Sequence, residues 1–210
     1  MRRLIALMMI AGCGLAHAQV SFTGTDYSEN FDSMGTSGTT APTGWGFYGG
    51  LGGGNTTWTS STGVPSASVG GGTLNATLSA STTFTTSSNT AGWNYALPTS
   101  TSDRALGTSP TSGRGVVLQL ALTNNTGTAI NAVRIGYDIR RFTTATNELP
   151  GYWLFYSVDG GTTWTNASTL NPNSTIVPNT SGVTTVPVTA ITLAGAWAVK
   201  GRRTVRPQPS

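Results

Sequence analysis

The chain of 210 residues contains one cysteine and one histidine, Cys13 and His17, and both lie within its first eighteen residues. If those residues are removed on export, the mature protein has neither a thiol nor an imidazole. Their absence excludes Ser-His-Asp and Cys-His catalysis, histidine-ligated zinc and disulfide bonds. Charged residues make up only 9% of the chain, which also excludes a charge-rich disordered segment.

The first eighteen residues have the three parts of a signal peptide. Met1-Arg2-Arg3 is a basic start, residues 4–15 are apolar, and Ala16-His17-Ala18 is an A-x-A cleavage site before Gln19. We therefore predict export to the envelope or exterior of a bacterium. The apolar run is shorter than the roughly 20 residues that span a bilayer, so we expect no transmembrane segment in the mature chain.

A second interpretation of the leader stays open. Residues 10–13 read IAGC and resemble a bacterial lipobox, in which Cys13 would be lipidated and become the first residue. Ordinary cleavage before Gln19 is favoured because the apolar run continues past Cys13 to a good cleavage site.

The formal net charge of +4 does not indicate a nucleic-acid-binding protein. Basic residues are concentrated in the leader and in residues 200–206. Residues 19–199 contain five arginines and seven acidic residues, which gives this part of the chain a net charge of −2. Because nucleic-acid binding needs a basic surface, we expect no nucleic-acid partner.

Glycine and proline, 28 and 10 residues, interrupt the chain so often that no helical period persists. Short β-prone runs between turn residues predict an all-β fold, an antiparallel two-sheet sandwich of the jelly-roll type spanning residues 19–199. The clearest strand is 132–142, where apolar and polar residues alternate, and 116–122 and 152–158 are also strong. The turn Asn124-Asn125-Thr126-Gly127 predicts a hairpin between 116–122 and 132–142. Weaker strands are expected at 27–31 and 44–48.

Residues 157–164, SVDGGTTW, match the Asp-box pattern S-x-D-x-G-x-T-W. The matching residues are Ser157, Asp159, Gly161, Thr163 and Trp164. This pattern predicts a hairpin turn in which the carboxylate accepts amide hydrogen bonds and the tryptophan packs back on the preceding strand. Asp-boxes occur repeatedly in sialidase propellers, but a single copy in a chain of this length favours a structural turn.

Several short motifs are spaced along the chain: YSENFDSM at 27–34, TGW at 43–45, SDRALG at 102–107, NNTG at 124–127 and DIRR at 138–141. Together they resemble a β-sandwich domain of secreted bacterial proteins of the PEP-CTERM type, also found ahead of extracellular nuclease or lamin-tail domains. The resemblance implies a non-catalytic, carbohydrate-binding-like jelly roll. It carries over no nuclease residues.

The end of the chain departs from this family, whose members finish with an Asp-rich turn and a last strand. Residues 194–199 begin such an ending, and residues 200–210 then read KGRRTVRPQPS. We expect a disordered basic tail at 200–210 and a sandwich lacking its last strands. A frameshift or truncation is favoured over a genuine basic tail.

Three sets of residues are candidates for a site. A glycan-stacking surface is expected from aromatic side chains, with Trp45, Tyr48, Trp58 and Trp93 as its members. A structural Ca²⁺ is a further hypothesis, with Glu29 and Asp32 as ligands, and no other cofactor is expected. The favoured function is therefore an exported, non-catalytic module that binds polysaccharide or a surface matrix. The alternative is a polysaccharide hydrolase using Glu148 and Asp159 as a carboxylate pair.

Overall fold

The structure, a computed structural model, describes residues 18–51, 74–79, 81–83, 88–97, 100–109, 115–141, 152–172 and 182–200. Within these ranges the chain is all-β, as predicted, and short 3₁₀ helices cover Asp32–Met34 and Ser168–Leu170. The strands are β1 Val20–Phe22, β2 Trp45–Leu51, β3 Ser81–Thr83, β4 Ser88–Leu97, β5 Ser100–Ser109, β6 Gly115–Leu120, β7 Leu122–Asn124, β8 Ile130–Arg141, β9 Phe155–Tyr156, β10 Thr165–Asn166 and β11 Gly182–Trp197.

The strands pair mostly antiparallel, in β2–β6, β4–β5, β8–β11 and β9–β10. Two short pairs, β1–β7 and β3–β4, are parallel. The three-stranded sheet has the order β3-β4-β5, and the other sheets described are two-stranded. The all-β class is thus established, while the arrangement of these sheets as one sandwich stays a prediction.

The first hydrophobic cluster lies where β2, β5 and the Asp32–Met34 turn meet. Its buried members are Met34, Ala41, Phe47, Leu78 and Leu106. Phe47 on β2 packs over Gly92 on β4, where a Cβ atom would come within 3.0 Å of the phenyl ring. Glycine inside this strand is therefore a packing requirement, since any side chain there would displace Phe47.

The second cluster lies beneath the long β8–β11 ribbon. Its buried members are Ala167, Leu170, Val186 and Ile191. On β8, Val133, Ile135 and Tyr137 pack against it, while the alternate positions Arg134 and Asp138 are exposed. The period-two alternation read from the sequence is confirmed, because successive side chains of a strand point to opposite faces.

The predicted hairpin between 116–122 and 132–142 is wrong. β6 pairs with β2, Leu122–Asn124 pairs with β1, and β8 pairs with β11. The weak strand expected at 27–31 is wrong as well, since these residues form no strand. The expected strand at 44–48 is confirmed as the start of β2.

Asn124 explains why the turn motif does not make a hairpin. Its side chain is 1% exposed, and its Nδ2 donates to the carbonyls of Thr128 and Trp197, both at 2.9 Å. Its Oδ1 accepts from the Thr126 amide at 3.0 Å. The Trp197 ring also stacks on Phe22 with centroids 5.7 Å apart. The Asn124 side chain thus links the turn to the end of β11, and the strands on either side of the turn do not pair with each other.

Candidate functional site

A groove of about 440 Å³ lies beside the segment that joins β1 to the Asp32–Met34 turn. Four of its lining residues are apolar, namely Val20, Met34, Ala41 and Pro42. Its polar groups are one phenol, one carboxylate and three hydroxyls, supplied by Tyr27, Glu29, Ser33, Thr40 and Thr43. The volume lies within the range of roughly 300–1,000 Å³ typical of small-molecule sites.

Tyr27 is held so that it can donate a hydrogen bond. The indole N–H of Trp45 donates to the Tyr27 oxygen at 2.8 Å, and an indole can only donate. The phenol therefore accepts here, and its own O–H can be directed to another acceptor. Burial raises the pKa of Tyr27, the nearby Glu29 charge raises it further, and the Trp45 bond opposes both. Tyr27 is consequently a neutral donor at physiological pH.

Glu29 shapes the wall of the groove. Its Oε1 accepts the main-chain N–H of Phe31 at 2.7 Å. Phe31 has a φ of 69° and is the one non-glycine residue with a positive φ among the residues described. Such a conformation costs of order 1–3 kcal/mol and persists only where its surroundings impose it. The Phe31 ring packs edge-on against Trp45 at 5.0 Å, so both sides of the residue are fixed.

Arg104 on β5 forms a hydrogen-bond network that holds the segment after Glu29 against the sheet. Its side chain is 4% exposed and donates from Nε to Asn94 Oδ1 at 2.7 Å. Its Nη2 donates to the Asn94 carbonyl at 2.7 Å and to Ser81 Oγ at 2.6 Å, and its Nη1 donates to the Thr101 carbonyl at 3.0 Å. The main-chain N–H of Arg104 donates to Asp32 Oδ1 at 2.8 Å. Burial lowers the pKa of the guanidinium.

The residues that Arg104 holds reach the segment that follows the 3₁₀ turn. Asn94, which is fully buried, donates from Nδ2 to the carbonyls of Gly35 and Gly38, both at 2.9 Å. Ser81 Oγ donates to the Thr36 carbonyl at 2.6 Å. The network of Arg104, Asn94 and Ser81 therefore docks residues 32–38 on the β3-β4-β5 sheet and fixes one side of the groove.

The aromatic residues of the predicted stacking surface do not form one exposed face. Trp45 is half-buried behind Tyr27, and Trp58 lies outside the described residues. Tyr48 and Trp93 are 4% and 7% exposed. The Trp93 ring stacks on Tyr95 at 6.0 Å, so in this conformation it offers no ring to a ligand. Of the three that the structure describes, Trp45 alone is next to the groove, where it bonds to Tyr27.

The Asp-box residues form a tight turn between β9 and β10. Asp159 Oδ1 accepts from the amides of Thr162 and Thr163 at 3.1 and 3.0 Å and from Ser157 Oγ at 2.7 Å. Its Oδ2 accepts from Thr163 Oγ1 at 2.6 Å. The Trp164 indole donates to the Gly161 carbonyl at 3.1 Å, and Gly161 has a φ of 89°.

These bonds, the Thr163 hydroxyl foremost, lower the pKa of Asp159 from 3.8 to about 2. The carboxylate is thus ionised and engaged at physiological pH. Glu148, its partner in the hydrolase hypothesis, lies outside the described residues.

Glu29 and Asp32, the candidate calcium ligands, each accept a main-chain amide within the protein, from Phe31 and Arg104. Asp32 Oδ2 also accepts from Asn30 at 2.8 Å. The described part of the chain holds no group of three or more His, Cys, Asp or Glu residues placed to bind a metal ion. The calcium hypothesis gains no support from this geometry.

Sequence reasoning missed Tyr27 and Arg104. A signal for Arg104 was present, since it stands two residues before Leu106 and thus on the same, core-facing side of β5. An arginine at an inward position must be hydrogen-bonded, which marks it as a structural hub. No comparable pattern marks Tyr27, because its role depends on the approach of Trp45 from eighteen residues away.

Comparison with protein-family models, curated proteins and solved structures finds no significant match to this chain. Among the described residues, no helix is long and apolar enough to cross a membrane.

Proposed function

We propose that the mature protein is an exported, non-catalytic module that binds carbohydrate, as part of a polysaccharide or surface matrix, through the groove beside Tyr27. The observation that carries the proposal is the composition of that groove. Sugars present apolar C–H faces and several hydroxyls, and the groove lining offers apolar side chains together with hydroxyl groups, one phenol and one carboxylate. The leader and the resemblance to secreted bacterial domains support the same proposal.

Binding is favoured over hydrolysis by the carboxylates. Glycosidases use two acidic residues flanking the scissile bond, and one of them must be protonated to act as the acid. Glu29 is the single carboxylate among the described lining residues. Asp159 is not among the described lining residues, and both of its oxygens accept hydrogen bonds within its own turn.

The test is a panel of immobilised polysaccharides offered to the mature protein purified from a periplasmic or secreted fraction. Retention without release of reducing sugar is the expected result, whereas reducing-sugar release would establish the hydrolase alternative. A protein retained by none of the polysaccharides would refute carbohydrate binding.

A variant and its matched control test whether the groove is the binding site. Tyr27→Phe keeps the ring and removes the hydroxyl, which can donate into the groove and which accepts from the Trp45 indole. We expect retention to weaken about tenfold, equivalent to one lost hydrogen bond to the ligand, in a variant whose thermal unfolding confirms that it is folded. Tyr48→Phe is the control, because the Tyr48 hydroxyl is buried without a hydrogen-bond partner and lies outside the groove lining. Equal retention by both variants would exclude the groove as the site.

A further inference from the structure

The groove carries one charged group among its described lining residues, the carboxylate of Glu29. The other polar groups of these described lining residues are neutral hydroxyls, and no lysine, arginine or histidine is among the residues described there. An anionic sugar unit placed there would bring a second negative charge into a half-buried site without a lining cation to balance it. A neutral sugar would instead gain an acceptor for its hydroxyls.

The geometry points to Glu29 as a specificity-determining residue that admits neutral sugars and rejects uronic or sulfated ones. This inference rests on the proposed carbohydrate binding and names the class of sugar that the groove selects. One carboxylate oxygen, Oε1, accepts the Phe31 amide, which fixes the side chain at the wall. The second oxygen, Oε2, can accept hydrogen bonds from the hydroxyls of a sugar.

Like charges brought together at an interface weaken binding, and a tenfold loss of affinity corresponds to about 1.4 kcal/mol. We therefore expect a β-1,4-linked glucuronate oligomer to bind at least about tenfold more weakly than a neutral β-1,4-linked glucose oligomer of the same length, from which it differs only by the carboxylate at C6. The difference should shrink as ionic strength rises, because salt screens charge repulsion at partly exposed sites.

The decisive variant is Glu29→Gln, which removes the charge and keeps an oxygen that can accept the Phe31 amide. The matched control is Asp26→Asn, a charge loss at an exposed residue three positions away that does not line the groove. Binding of both oligomers is measured by isothermal titration calorimetry on the mature protein. The expected result is that Glu29→Gln binds the two oligomers within about threefold of each other, while Asp26→Asn keeps the wild-type preference.

Three outcomes would overturn the inference while leaving carbohydrate binding in place. They are equal binding of the two oligomers by the wild type, an unchanged preference in Glu29→Gln, and loss of neutral-sugar binding in a folded Glu29→Gln variant. The last would make Glu29 a required acceptor instead of a charge filter. Absence of binding to either oligomer by the wild type would refute the proposed function and this inference together.

Discussion

Replacing Arg104 with methionine tests whether the buried guanidinium holds the groove wall against the sheet. The variant keeps most of the side-chain length and removes the donors that reach Asn94, Ser81 and Thr101. Asn94 is fully buried, so its Oδ1 and its carbonyl would each lose a donor that water cannot readily replace. A buried group left unsatisfied costs about 1–3 kcal/mol, which gives about 2–6 kcal/mol for the two acceptors.

Part of that loss is offset because the variant no longer buries a charge. We expect a net loss of about 2–4 kcal/mol in the free energy of unfolding, measured by urea denaturation followed through tryptophan fluorescence. Arg134→Met, on the exposed face of β8, is the control and should change stability by less than about 0.5 kcal/mol. A loss below about 1 kcal/mol in Arg104→Met would refute the reasoning, since Asn94 would then have found other donors.

Three further predictions concern other parts of the molecule. The pKa of Asp159 falls from 3.8 in the unfolded chain to about 2 in the folded protein. Its stabilising contribution is therefore complete above about pH 4 and is lost as the pH falls towards 2. The melting temperature, measured as a function of pH, should show this loss in the wild type and not in Asp159→Asn. Gly107→Ala would place a Cβ within 3.0 Å of the Tyr95 ring and should cost about 1–3 kcal/mol in urea unfolding, whereas Gly195→Ala, with its nearest neighbour at 3.6 Å, should cost less than about 1 kcal/mol. Intact-mass spectrometry of the exported protein should show Gln19 as the first residue, and a lipid-modified N-terminus would contradict ordinary cleavage.

Local patterns in the sequence predicted β8 and the turn at residues 157–164, whereas of the strand expected at 152–158 only Phe155–Tyr156 is formed. The alternation on β8 follows from the geometry of a single strand, which needs no knowledge of its partner. The turn at residues 157–164 is likewise built from side chains that contact their own neighbours, with Asp159 bonded to residues three and four positions away. Such contacts depend on short spacing alone, and spacing is visible in a sequence.

Strand partners and the site could not be predicted in the same way. Alternation identifies the buried face of a strand and says nothing about which strand lies beside it, so the choice of β11 over β6 as partner of β8 was beyond reach. Trp93 was expected at a ligand because tryptophan suits stacking, yet its ring is stacked on Tyr95 and buried. Exposure is decided by what covers a strand, which is a property of the tertiary structure.

Charged residues are only 9% of this chain, and asparagine has a large structural role in the part that the structure describes. Loops that run beside sheets leave main-chain carbonyls and amides that must be satisfied when buried. An asparagine side chain both donates and accepts, so a single residue can satisfy groups of both kinds. Asn94 and Asn124, at 0% and 1% exposed, do this at two separate places, one behind the groove and one where β7 meets the end of β11. Segments distant in sequence are thereby fixed by amide bridges in a chain that has few charges for ion pairs. The position of the groove wall consequently depends on the buried amide of Asn94 and on Arg104, which keeps Asn94 in place.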